Sequence, residues 1–224
     1  MEKPIFQDAS RAQLSLLSQI EKRCLIWLAH RMPPWVHSDH LTMLGLVALL
    51  MAGLSYWLAR WNRFGLLLVI FWLAVNWFGD SLDGTLARVR NQQRPRYGFY
   101  VDHVVDAFGT LFLVGGLALS GYMGEGVALG LLIAYFMLSI EVYLATYTLG
   151  IFRLSIAKLG PTEARILIAI GNLALFFRPV VRIQGEPYRL FDVAGVIGIV
   201  GMGLMLITSA AKNTLALYRA ERIS

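Results

Sequence analysis

Four aspartates fall within 27 positions of an otherwise apolar stretch: Asp80, Asp83, Asp102 and Asp106. Asp80 and Asp83 are three residues apart and Asp102 and Asp106 four apart, so on helices each pair shares one face. Carboxylates inside a membrane span are costly and mark functional sites. Like charges at one spot oppose each other's ionisation, and no Lys or Arg lies on the two faces themselves. Hard divalent cations would resolve the conflict. All-oxygen ligands suit Mg²⁺ or Mn²⁺, and two such ions can clamp a phosphoryl group during in-line displacement. Gly84 and Ala87 continue the first face and Gly98 opens the second, leaving room for a ligand. Arg88 at the mouth, with Arg90, Arg94 and Arg96 nearby, is placed to hold further phosphate oxygens. The competing reading is structural, with the acids paired to basic residues from elsewhere in a bundle. The other apolar segments offer almost no cations for that, which favours the chemical reading.

These acids must be carried by membrane helices. The chain has 224 residues, 57% hydrophobic and 15% charged, with mean hydropathy +0.60; a soluble domain is about a quarter charged. Apolar runs at 44–58, 66–78, 127–140 and 193–207 are long enough, with their flanks, to cross a hydrocarbon core of about 30 Å. Six spans are predicted, over 40–60, 64–88, 98–121, 126–149, 163–180 and 190–213. The expected fold is an all-α integral membrane protein of six transmembrane helices. An amphipathic helix over 10–31 is expected to lie in the membrane interface before them, its Arg11, Glu21, Lys22, Arg23 and Arg31 mixed with Leu, Ile and Trp27. That mixture is not a signal peptide. The chain divides into an arm, 1–38, and a transmembrane domain, 39–224.

Fifteen of the twenty Lys and Arg fall in the N-terminal arm, the loops after the second and fourth spans, and the tail. The positive-inside rule then puts both termini in the cytoplasm and the protein in the cell membrane. Asp80 lies roughly 24 Å from the outer end of its span, and Asp102 and Asp106 roughly 6–13 Å in from the cytoplasmic side. All four acids can therefore meet in the cytoplasmic third. The net charge of +6 reads as affinity for an anionic leaflet rather than for nucleic acid. The single cysteine, Cys24, excludes an intrachain disulfide and a cysteine metal cluster. His103 faces away from the Asp102–Asp106 face, so it is not expected to bind metal. Glu141, in mid-span, either lines a cavity or hydrogen-bonds across helices. Gly195, Gly198, Gly201 and Gly203 are expected to permit close helix packing. Thr162 and Glu163 suit a helix entry.

The run Asp80-x-x-Asp83-Gly84-x-x-Ala87-Arg88, nine residues, then Gly98-x-x-x-Asp102-x-x-x-Asp106 resembles the signature of the CDP-alcohol phosphotransferase family. Every fixed position is present in order. Ser38-Asp39-His40-Leu41-Thr42 is similar to the family's first-span entry, with Ser38 where Pro is usual. The resemblance implies that Asp80, Asp83, Asp102 and Asp106 hold two Mg²⁺ or Mn²⁺ ions, with Asp106 also the general base on an acceptor hydroxyl. It implies CDP binding by Asp39, His40, Leu41, Thr42, Gly84, Ala87, Arg88, Arg94 and Gly98. Lys158 and Arg165 stand where relatives bind a phosphorylated acceptor. The implied partners are a CDP-linked donor, an alcohol acceptor, membrane lipid and a second copy in a homodimer. The donor would be CDP-diacylglycerol, with a small alcohol or alcohol phosphate as acceptor. The alternative is a CDP-amino alcohol with diacylglycerol, for which the Thr162-Glu163 helix entry speaks. A cation transporter would need acids spread through the membrane, and a membrane prenyltransferase would carry its acids in two separated clusters without the Asp-Gly-x-x-Ala-Arg element.

Overall fold

The computed structural model describes residues 18–149 and 160–221. Seven helices and one hairpin follow in order: α1 (Ser18–Arg31), α2 (Ser38–Ala59), α3 (Gly65–Val89), α4 (Pro95–Ser120), α5 (Glu125–Leu149), α6 (Pro161–Phe177), β1 (Val180–Ile183), β2 (Glu186–Arg189) and α7 (Leu190–Ala220). Five of them, α2, α3, α4, α5 and α7, are long and apolar enough to cross a membrane. The expected span at 163–180 is shorter. It ends at Phe177 because Pro179 disfavours helical backbone at Arg178, leaving 17 residues, about 25 Å of helix. Even so, α6 follows α3 from end to end. Its first turn meets Glu21 of α1 through Thr162, and the Phe176 ring lies 5.6 Å from Phe64, just before α3 begins.

The segment after α6 departs from the all-helical expectation. Val180–Ile183 and Glu186–Arg189 pair antiparallel, with Ile183 opposite Glu186. The two residues between them, Gln184 and Gly185, both have positive φ, 53° and 93°. Such a two-residue loop matches the strand twist, and glycine enters it without strain. A β-branched run followed by Gln-Gly was the sequence cue for this turn.

Helix α2 sits between α3 and α4, and glycines set how closely it approaches each. A Cβ on Gly79 of α3 would come within 2.6 Å of the Leu41 carbonyl and 2.8 Å of the Gly45 nitrogen. On the other flank, a Cβ on Gly116 of α4 would run into the backbone of Gly53. Backbone therefore rests on backbone along both seams. This arrangement fixes α3 and α4 relative to one reference helix, which is what their acids require.

Two apolar clusters complete the packing. Tyr56, Leu66, Val69, Leu73 and Leu175 belong to one, and Leu25, Ala29, Leu41, Leu82 and Leu86 to the other. Within the first, the Asn172 amide nitrogen of α6 donates to the Tyr56 hydroxyl at 2.7 Å, so each of these buried polar groups has a partner in the other. Only α1 residues 18–31 of the expected amphipathic segment are described. Leu25 and Ala29 are buried against α3, while Lys22, Arg23, Ile26, Trp27 and Arg31 are exposed.

Helices α5 and α7 pair beside this core. Glu141 accepts hydrogen bonds from Ser209 (3.0 Å) and Asn213 (2.7 Å), so it binds across helices. Close packing by the α7 glycines is limited to its first half. Gly195 abuts Val127, Met123 and Leu131, and Gly198 abuts Leu131, but Gly201 and Gly203 face open space.

The α2–α4 seam makes a direct forecast. Gly116→Leu should cost about 1–3 kcal/mol through overpacking and lower the thermal midpoint of the detergent-purified protein. Gly201→Leu, where a side chain meets nothing, should leave that midpoint unchanged.

Candidate active site

The site is assembled where the end of α3, the start of α4 and the start of α2 converge. Asp80, Asp83, Gly84, Ala87 and Arg88 lie on the last turns of α3. Gly98, Asp102 and Asp106 lie on the first three turns of α4, which Pro95 opens; Pro is favoured at a helix's first position. Asp39 and Thr42 come from the first turn of α2. A cleft of about 420 Å³ bounded by His37, Ser38, Asp39, Gln92, Gln93 and Arg94 forms the mouth. It shares Ser38, Asp39, Gln92 and Arg94 with a narrower space of about 70 Å³, which reaches inward to Thr42, Asp83, Gly84, Ala87, Gly98 and Asp102. A side chain at Gly98 would meet nothing within 4 Å, so this position faces the opening.

Several expected residues are gathered here. Asp83 is buried and accepts the Thr42 hydroxyl at 2.7 Å and the Gly84 backbone N–H at 2.5 Å. Asp39 and Arg94 form an ion pair at the mouth, each about half exposed, and the Arg94 guanidinium lies 4.2 Å from the Tyr97 ring centre. Arg88 donates to Thr85 at 3.1 Å, along its own helix. Asp106 lies beyond the cleft, within electrostatic reach of Asp80, Asp83, Asp102 and Arg165. Tyr135 of α5 lies within electrostatic reach of Asp106, in the neighbourhood of Thr110 and Ser139. All four aspartates thus occupy one neighbourhood.

Three expectations need correction. The first is that no basic residue reaches the acidic faces. Arg165 does: its Nη2 pairs with Asp80, and its Nε donates to Asn76 Oδ1 at 2.7 Å. Arg165 lies in the second turn of α6, inside the expected span, on a helix packed along α3. Asn76 in turn donates to the Gly45 carbonyl at 3.0 Å, so α2, α3 and α6 share one chain of hydrogen bonds. The second concerns Arg90, which turns away from any phosphate. It donates to the carbonyls of Met32, Pro33 and Val36, tying the α1–α2 connection to the end of α3. The third concerns the α2 entry. Leu41 is buried in the second apolar cluster, and His40 accepts the His37 backbone N–H at 3.2 Å. Neither side chain borders the cleft, whereas Asp39 and Thr42 do. His103 packs against Phe99 and stacks on Tyr143, ring centres 4.2 and 4.6 Å away. Lys158 lies outside the described residues.

The donor set is chemically suited to a hard cation, being four carboxylates with no sulfur and no imidazole among them. Among the described residues, however, no three acidic, His or Cys groups converge as ligands of one ion in this arrangement. The reason is visible. Asp80 is turned to Arg165, and Asp83 to Thr42 and the Gly84 amide. Coordination would require these carboxylates to exchange partners.

Sequence reading missed Asn76, Tyr97, Tyr135 and the inward reach of Arg165. A polar Asn in an apolar span was the available signal for the first. The others depend on which helices become neighbours.

Residues 35–209 match the family described as CDP-alcohol phosphatidyltransferase. The chain belongs to this family of phospholipid-synthesising membrane transferases, which use a CDP-alcohol donor and an alcohol acceptor. It is 29% identical over 136 residues to the archaetidylinositol phosphate synthase of Pyrococcus horikoshii, a match covering 60% of this chain and 68% of that protein.

The mouth holds Asp39 and Arg94, where the resemblance in sequence implies the donor's nucleotide end. Arg94→Ala, which removes both the charge and its stacking on Tyr97, should raise the donor KM about tenfold with a smaller change in kcat. Initial rates of CMP release against donor concentration provide the check.

Proposed function

We propose that the protein transfers a phosphatidyl group from CDP-diacylglycerol to a phosphorylated small alcohol, releasing CMP. The observation that carries this reading is Arg165, a cation held beside Asp80 and within reach of Asp106. An acceptor hydroxyl next to Asp106 leaves the acceptor's own phosphate near this guanidinium, whose planar fork suits phosphate. The name of the Pyrococcus horikoshii relative, a synthase of archaetidylinositol phosphate, is in keeping with such an acceptor. The cue for a CDP-amino alcohol donor has local explanations: Glu163 accepts the Gly160 N–H at 2.9 Å and Thr162 is bound to Glu21.

In this mechanism Asp39, Arg94 and the cleft hold the cytidine diphosphate, and Arg88 lies on the α3 face that continues from Asp80, Asp83 and Gly84. Asp80, Asp83, Asp102 and Asp106 would hold Mg²⁺ or Mn²⁺, which supplies charge neutralisation for the phosphates. Asp106 takes the proton of the acceptor hydroxyl as its oxygen bonds to the donor's lipid-bearing phosphorus. The phosphoanhydride bond on the opposite side breaks, and CMP departs. Arg165 releases Asp80 and takes the acceptor phosphate, keeping the hydroxyl aligned. Tyr135, with Thr110 and Ser139, offers further hydroxyls to a polyol. All six helices from α2 to α7 cross the membrane in this reading, with α1 in the interface, both termini cytoplasmic and the mouth open to the cytoplasm.

Purified protein in nanodiscs, given Mg²⁺, CDP-diacylglycerol and either inositol 1-phosphate, glycerol 3-phosphate or unphosphorylated inositol, tests the assignment by CMP release. Turnover is expected with a phosphorylated acceptor only. Turnover with CDP-choline and diacylglycerol instead would overturn it. Asp106→Asn should reduce kcat by about 10²–10⁴ while equilibrium CDP binding stays near wild type; equal loss of both would remove the base role. Arg165→Ala should raise the acceptor KM about tenfold or more and leave the donor KM nearly unchanged.

A further inference from the structure

Glu21 lies in α1, outside the signature and outside the cleft, yet three side chains converge on a single oxygen of its carboxylate. Trp77 Nε1 donates at 2.8 Å, Ser81 Oγ at 3.3 Å and Thr162 Oγ1 at 2.6 Å. Trp77 and Ser81 belong to α3, and Ser81 adjoins Asp80. Thr162 belongs to the first turn of α6 and precedes Arg165 by three residues, on the same helix face. Glu21 therefore joins the beginning of α6 to the stretch of α3 that carries Asp80.

We propose that Glu21 is a positioning residue, a latch that holds the first turn of α6 so that Arg165 enters the site at a fixed place. This rests on the reading that Arg165 takes the acceptor phosphate. In the structure Arg165 is spent on Asp80 and Asn76. To receive a phosphate it must loosen from Asp80, and with that loosening α6 gives up one of its ties to α3. The hydrogen bond from Thr162 to Glu21 does not involve the substrate and persists through the exchange. A charged acceptor in a partly buried setting makes this a strong tie. The far end of α6 is anchored independently by the buried Asn172–Tyr56 pair, so loss of the latch frees the cytoplasmic end without unfolding the helix.

The test uses Thr162→Val, which keeps the side-chain shape and removes the donor, alongside Glu21→Gln, Arg165→Ala and the Thr162→Val/Arg165→Ala double variant. Rates of CMP release are measured against inositol 1-phosphate and against CDP-diacylglycerol. Thr162→Val should raise the acceptor KM about tenfold, with the donor KM unchanged. In the Arg165→Ala background it should add nothing, because the latch acts through that arginine. Equal rises in both KM values, or effects that multiply in the double variant, would show a merely structural contact and overturn the proposal. A second readout needs no turnover. Spin labels on the exposed Cys24 of α1 and on Ile166→Cys of α6 should give a narrow distance distribution. Thr162→Val should broaden it, and an unchanged distribution sinks the latch. If Arg165→Ala leaves the acceptor KM untouched, the phosphate role of Arg165 fails, and the label distances then decide alone whether Glu21 holds α6.

Discussion

Four carboxylates facing one space in a low-dielectric setting repel one another, and every neighbouring element is arranged around that repulsion. The carboxylates cannot disperse, because they sit on two helices whose spacing is set elsewhere. Helix α2 lies between α3 and α4, and at Gly79 and Gly116 its backbone is in contact with theirs. Without side chains at those crossings, α3 and α4 approach close enough for Asp83 and Asp102 to border the same narrow space. Thr42, from the same α2, contributes the hydroxyl that Asp83 accepts. One helix thus both forces the acids together and supplies part of the compensation.

The rest of the compensation comes from the far end of the sequence. Arg165 reaches Asp80 from α6, and Asn76 orients its guanidinium by accepting a hydrogen bond from the Nε–H. A cation so placed offsets part of the cluster's charge through Asp80 and can turn to an anion when Asp80 takes another partner. The same residue would then serve both stability and binding. Glu21 and Arg90 bind the N-terminal helix and its connection to α3 and α6 without entering the cleft. The membrane-facing parts, α5 and α7, are held by a small polar group around Glu141 and carry exposed apolar side chains over most of their length.

Much of this was legible in the residues. The helices that carry the acids, their shared faces and the convergence of Asp80, Asp83, Asp102 and Asp106 follow from spacing and hydropathy. The family follows from the run Asp80 to Asp106. What could not be read was tertiary. The Thr162-Glu163 entry put Arg165 at the start of a helix, but that this helix packs along α3 and brings Arg165 to Asp80 was not in the residues. Arg90 and Arg94 look alike in sequence, yet one caps a connection and the other meets Asp39. Leu41 sits in the entry motif but is turned to the core by the helical period, two positions away from Asp39 and one from Thr42. The hairpin fell in the short connection left between the expected spans 163–180 and 190–213, although Pro179 precedes it and Gln184-Gly185 marks its turn.

We propose that Asp80 and Asp83 give up their present partners so that the four aspartates can hold a divalent cation beside the bound nucleotide. Electron paramagnetic resonance of Mn²⁺ measures this directly, since the free hydrated ion gives a sharp signal that is lost on binding. Titrating Mn²⁺ into the purified protein with CDP present should quench that signal at stoichiometric amounts, and Asp83→Asn should largely restore it. A free-ion signal that wild-type protein leaves unchanged, or quenching that Asp83→Asn does not affect, would contradict the account.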